Sequence, residues 1–207
     1  MRFRRVISGA VALAAGAAVG YSAVRLAEPA SGYRAPAWPT DLNEDGLRER
    51  PRYVVLKARR RVLLLGGALV GGVGLSREQS LAFALASRFP GVYFVNAGLA
   101  DGDNEALASR LARLAPLYQP EAVLWIAEGA CDQAGALKEA AAGVHLRVLA
   151  VAYSASSREC LARTGMETVA LPERLPAGPD GAAEEVVFLE QAVTPRLEKW
   201  LSRPGKP

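Results

Sequence analysis

What most constrains the fold of this chain is a set of short apolar runs that do not alternate. A strand with one wet face alternates apolar and polar residues, whereas runs such as Val62–Leu65 and Val123–Ile126 ask for cover on both faces. The runs are separated by stretches of helical pattern. Strands are expected near 62–66, 92–96, 122–127, 146–152 and 167–171, and helices near 77–88, 104–117, 133–142, 156–164 and 183–202. This βα alternation predicts an α/β fold: a three-layer, flavodoxin-like, doubly wound parallel sheet with any ligand cleft at the carboxyl ends of its strands. No other internal repeat is visible.

The amino terminus follows different rules. Arg2, Arg4 and Arg5 precede nineteen uncharged residues, Val6 to Val24, before Arg25. That is long enough to cross a hydrocarbon core as a helix. Small-x-small cleavage sites ending at Ala23 and Ala27 are spoiled by Tyr21 and Arg25, which favours a signal anchor over residues 1–25 against a cleaved signal peptide. The arginine excess on the amino-terminal side predicts a cytoplasmic terminus and a domain outside, on a bacterial cytoplasmic membrane. Gly16 and Gly20 form a GxxxG pair, weak evidence for helix pairing in so small-residue-rich a span.

Residues 26–61, with Pro29, Pro36, Pro39 and Pro51, read as an extended linker in which Tyr33 and Trp38 could sit at the interface or pack back on the domain. The folded domain is expected over 62–203, long enough for one core. Lys57, Arg59, Arg60 and Arg61 precede it and read either as a solvated surface or as a contact for anionic head groups. The net charge of +4 is modest and its basic residues are scattered, so nucleic-acid binding is not expected.

Gly66-Gly67-Ala68-Leu69-Val70-Gly71-Gly72-Val73-Gly74 invites a dinucleotide-binding reading, but the second strand ends in Asn96 where that motif needs an acid. No cofactor is expected. The segment Val62 to Leu75 instead resembles the first conserved block of the SGNH (GDSL) hydrolases, ester- and thioester-cleaving enzymes whose block reads Gly-Asp-Ser-Leu. The resemblance continues through Val95-Asn96-Ala97-Gly98, Gly102-Asp103 and Gln119 to Ile126, where the family pattern runs from a VNAGxSGDT stretch to an LGxND strand end. It spans most of Val62 to Leu201 and implies an SGNH hydrolase-like fold.

The resemblance also implies which residues once carried chemistry. The nucleophilic serine falls at Ala68. The glycine of the oxyanion hole falls at Gly102, or at Asp101 with a one-residue shift. The oxyanion-hole asparagine falls at Cys131, in Gly129-Ala130-Cys131-Asp132. The terminal Asp-x-x-His falls at Asp180 and Ala183. Nucleophile, base and one side-chain donor are therefore replaced, which predicts a catalytically silent member of the fold.

Substitutes are scarce. Ser76 and Ser80 lie past the turn, in the first turns of a helix. Cys131 would need a base within hydrogen-bond reach, and the only histidine, His145, is expected at the opposite end of the sheet. For Cys131 and Cys160 a disulfide and two unpaired thiols stay equally open. Asp101, Asp103, Asp132 and Asp180 lie around the expected cleft without a dedicated ligand spacing, so no metal is expected.

The leading expectation is a membrane-anchored, extracytoplasmic, inactive SGNH hydrolase-like protein that binds a protein, lipid or glycan in its old cleft, or scaffolds. One alternative is an active hydrolase with a rearranged site in which Asp101, Asp103 or Asp132 orients water. Another is a structural subunit of a cell-envelope complex.

Overall fold

The computed structural model describes Asn43, Leu47 and residues 49–98, 106–128, 131–171 and 181–202, with only the backbone at Cys131. The chain divides into units Met1–Ala35 and Pro36–Pro207, and all described residues belong to the second. The expected span Val6–Val24 lies outside them. Among the described residues no helix is long and apolar enough to cross a membrane.

Five strands form the sheet: β1 (Arg60–Gly66), β2 (Val92–Gly98), β3 (Ala122–Ala127), β4 (Arg147–Ala152) and β5 (Glu167–Ala170). All pair in parallel, in the order β2-β1-β3-β4-β5. Helices α1 (Leu81–Arg88), α2 (Leu107–Tyr118), α3 (Ala134–Gly143), α4 (Ala155–Thr164) and α5 (Gly181–Leu201) follow the strands in turn. This is the flavodoxin-like doubly wound order, and the chain changes winding direction between β1 and β3. Alternate strand residues point to opposite faces. Leu63, Leu65, Val95, Val123 and Trp125 pack under α2, α3 and α4, while Val62, Leu64, Phe94, Leu124 and Ile126 pack under α1 and α5. Every residue of β3 is buried, as the unbroken apolar run required.

Helix α5 shows why its sequence is helical: Val186, Leu189, Val193, Leu197 and Trp200 recur every three or four residues and are all buried. Its carboxyl end is tied down by arginines. Arg60 donates to the Leu201 carbonyl at 2.9 Å, and Arg147 donates to the Trp200 carbonyl at 3.2 Å while its guanidinium lies 4.6 Å from the Trp200 ring centre. Arg61 does the same for α2, donating to the carbonyls of Tyr118 at 2.7 Å and Gln119 at 3.2 Å, and also to Ala58. The last carbonyls of an α-helix lack the intrahelical donors that the earlier ones have, and a cation there also meets the negative end of the helix dipole. Arg60 and Arg61, expected ahead of the first strand, are its first two residues and are used inside the fold; Lys57 and Arg59 are exposed.

The folded domain reaches further toward the amino terminus than residue 62. Leu47 and Val55, inside the segment expected as linker, are buried in the core beside α2. Asn43 donates to the Tyr118 hydroxyl at 2.8 Å and accepts from the Leu47 amide at 3.0 Å. Glu49 accepts from the Asn96 amide at 2.7 Å and the Tyr93 hydroxyl at 2.6 Å. Proline content made the segment look extended, but Leu47 and Val55 are apolar enough to dock, and Glu49 supplies an acceptor for the open edge of β2.

Candidate functional site

The turn after β1 lies at the carboxyl end of that strand, the end where a doubly wound sheet places its ligands. β1 stops at Gly66, Gly67 precedes a one-turn helix Ala68–Gly71, and Gly72 closes it in the left-handed conformation at φ 69°. Left-handed backbone suits glycine, which has no Cβ to clash. The turn leans on the end of β2. A Cβ at Gly98 would lie 2.6 Å from the Val70 carbonyl carbon and closer still to the Gly71 nitrogen, so only glycine allows the contact. Ala68 therefore sits at the strand-to-helix turn, half-buried, where the resemblance expects a nucleophile.

Glu128, the first residue past β3, fills the space beside this turn. Its Oε1 accepts from the Gly67 amide at 2.8 Å and its Oε2 from the Leu69 amide at 3.3 Å. Burial pushes the carboxyl above the usual carboxylate range; the amides of Leu69, Gly67 and Val70 pull it back, and the like charge of Glu185 in α5 pushes it up. Among the described residues no cation offsets it.

Around the turn, β2 and α2 are locked together by Arg110, which is 5% exposed. Its guanidinium donates to the carbonyls of Ala97 at 2.9 Å and Gly98 at 3.0 Å. Gln133 accepts from the Leu107 amide at 2.6 Å, joining the start of α2 to the turn after β3. Buried Asn96 accepts the Gly98 amide through Oδ1, while its Nδ2 finds no acceptor among the described residues.

The expected site residues distribute as follows. Gly102, Asp101, Asp103 and Asp180 lie outside the described residues. The Cys131 backbone opens a short 3-10 turn directly after the β3 end, and Asp132 beside it is exposed. Ala183 is the third residue of α5 and half-buried. Ser76 opens a 3-10 turn and its amide donates to the Gln79 side chain, while Ser80, 2% exposed, caps α1 by accepting from the Phe83 amide, so its hydroxyl serves local structure. His145 is exposed in the turn before β4, at φ 58°, at the amino end of that strand and away from the cleft. β3 and β4 are neighbours, and Cys160 is disulfide-bonded. Among the described residues no three His, Cys, Asp or Glu side chains gather to hold a metal.

Glu128 and Arg110 are the residues that sequence reading missed. Arg110 carried a signal: it interrupts the apolar spacing of Leu107, Leu111 and Leu114 on the buried face of α2. Glu128 also carried one, an acid directly following six apolar strand residues, but its partner turn is sixty residues away in sequence. A cavity of about 230 Å³ lies elsewhere, at the outer edge of β2 between Glu49, Arg77 and Phe83.

No protein-family model matches the chain. No curated protein matches it either. Solved structures do. The psychrotrophic esterase EstA from Pseudoalteromonas sp. superposes with a TM-score of 0.55 at 15% identity, over 70% of this chain and 100% of that one. A member of the lipolytic protein G-D-S-L family from Veillonella parvula gives 0.48 at 8% identity, over 70% and 100%. The lipase/acylhydrolase from Enterococcus faecalis gives 0.45 at 14% identity, over 72% and 100%. At such identities likeness speaks for architecture alone, and the EstA superposition extends over most of the domain: the chain has an SGNH hydrolase-like fold.

Proposed function

We propose that this protein is a membrane-anchored, extracytoplasmic SGNH hydrolase-like domain that does not hydrolyse esters and instead binds or scaffolds a protein, lipid or glycan. The observation that carries the reading is Ala68. A methyl group stands at the turn where an acyl-transfer enzyme of this fold needs a nucleophile, and Ala183 stands where the resemblance puts its base. Loss of triad members leaves a residual rate about 10³- to 10⁴-fold above water at best, and loss of an oxyanion donor removes about 10²-fold more. Export is supported by the arginine asymmetry around Val6–Val24 and by the disulfide at Cys160, since such bonds persist in oxidising compartments.

The test uses the full chain in detergent with short-chain aryl esters and acyl thioesters. The expected rate equals that of buffer and of an Ala68→Gly control. Turnover that survives repurification and disappears in Asp132→Asn or Glu128→Gln would establish the rearranged hydrolase instead. A reporter fused after Pro207 that works only outside the cytoplasm should be active; activity from a cytoplasm-only reporter would overturn the export reading.

A further inference from the structure

We propose that Glu128 is a built-in occupant of the former catalytic turn, its carboxylate holding the amides of Gly67 and Leu69 so that no external acyl oxygen or carboxylate can use them. This deepens the reading of the Ala68 turn as a silenced site: the turn is occupied as well as disarmed.

Three observations converge. The first is the pair of hydrogen bonds, 2.8 Å from the Gly67 amide and 3.3 Å from the Leu69 amide, which bracket Ala68 on both sides. The second is space. A Cβ at Gly67 would lie 2.9 Å from Glu128 Oε2, and one at Gly66 would lie 3.1 Å from Oε1 and 2.5 Å from Val70 Cγ2. The carboxylate fits because positions 66 and 67 carry no side chain. The third is the sequence itself. The Gly-Asp-Ser-Leu block would put an aspartate at position 67 and the LGxND pattern a leucine at position 128, whereas this chain has glycine and glutamate. Two carboxylates could not share that space, because like charges within contact distance oppose one another's ionisation. The acid has moved from the turn to the end of β3, and from there it reaches back over both amides.

The structure therefore assigns Glu128 the role of excluding anionic and acyl-oxygen ligands from the turn. It also follows that restoring Ala68→Ser and Ala183→His leaves the turn blocked.

The test reads the amides directly, by NMR of the full chain in micelles, with sodium acetate as the probe. In the unaltered protein the Gly67 and Leu69 amide shifts should not respond to acetate. In Glu128→Ala both amides should first lose their carboxylate-bonded shift, then recover it saturably as acetate is added, and the melting temperature should rise with the same midpoint, as for any ligand that binds only the folded state. Amides that respond to acetate equally with Glu128 present, or that do not move in Glu128→Ala, overturn the proposal. Should Glu128→Ala fail to fold, Glu128→Gln keeps the volume and must still shift both amides. A second arm substitutes Gly67→Asp, which should lower the melting temperature with Glu128 present and much less with Glu128→Leu; equal losses in both backgrounds also overturn it. None of these readouts involves hydrolysis, so they stand or fall separately from the proposed inactivity.

Discussion

Glu49 and Glu128 are two carboxylates, one buried and one half-buried, that solve opposite problems. Each accepts backbone amides and each is pushed above the usual carboxylate range, chiefly by burial. Glu49, 8% exposed, sits on the open edge of β2 with a full set of donors: the Asn96 and Arg50 amides, the Tyr93 hydroxyl and, at 3.8 Å, the Arg77 guanidinium. Its charge raises the Tyr93 phenol further above the ordinary range, where burial already holds it. Among the described residues Glu128 is held by amides only, and the charge that shifts it, Glu185, has its own sign. A buried charge with a complete shell is architecture, whereas one held only by backbone dipoles is tolerated where a site needs it. The difference separates a residue that ties the amino-terminal segment to β2 from one that caps the amides of the turn after β1.

The largest effect should come from breaking the turn that receives Glu128. Gly98→Ala drives a Cβ into the backbone of Val70 and Gly71, which side-chain rotation cannot relieve. We expect a loss of more than about 3 kcal/mol or failure to fold, measured by denaturant unfolding. A loss below 1 kcal/mol, on the order of a tolerated surface change, would mean that the turn and β2 are not in contact.

Next comes the direct contrast. Glu49→Ala leaves the Asn96 amide and the Tyr93 hydroxyl without their acceptor, and each such group costs about 1–3 kcal/mol, so a net loss of about 3 kcal/mol is expected. Glu128→Leu also removes an acceptor, but it relieves an uncompensated charge at a half-buried turn. Its unfolding free energy should stay within about 1 kcal/mol of the parent. Equal losses for the two variants would erase the distinction.

The smallest effect is on pH dependence. Both carboxyls have folded values above the reference of 4.5, so the proton is held more tightly in the folded state than in the unfolded one. Their contribution is fully present below the unfolded value and is lost as pH rises through the raised folded value. Stability should therefore rise as pH is lowered through the raised folded values toward 4.5, and Glu49→Gln or Glu128→Gln should each flatten part of that rise. For Glu49 the facing charges are Arg77 and Arg50 with the Tyr93 hydroxyl, and for Glu128 Glu185. Stability that falls monotonically on acidification, with no change in either variant, would contradict the burial argument.

The sheet was legible because the short runs Val62–Leu65 and Val123–Ile126 are apolar on both faces and alternate with helical stretches, as a parallel sheet covered on both sides requires. The position of the turn was legible too, since the glycines from Gly66 to Gly74 could follow β1 only as a tight strand-to-helix turn. The docked segment around Leu47 was not. Its prolines argue for extension, and two isolated apolar residues do not reveal that α2 leaves them a place. The site was half legible: Ala68 could be read from the block around it, whereas Glu128 could not, because its meaning depends on β1 and β3 lying side by side.

By itself the sequence determined the layers, the parallel βα alternation, and the absence of a hydroxyl at residue 68. The tertiary structure decided what occupies the place of that missing chemistry. Local pattern reports which face of an element is apolar, but a carboxylate that reaches across neighbouring strands to the amides of a distant turn is a long-range contact, fixed only when the register of β1 against β3 is fixed.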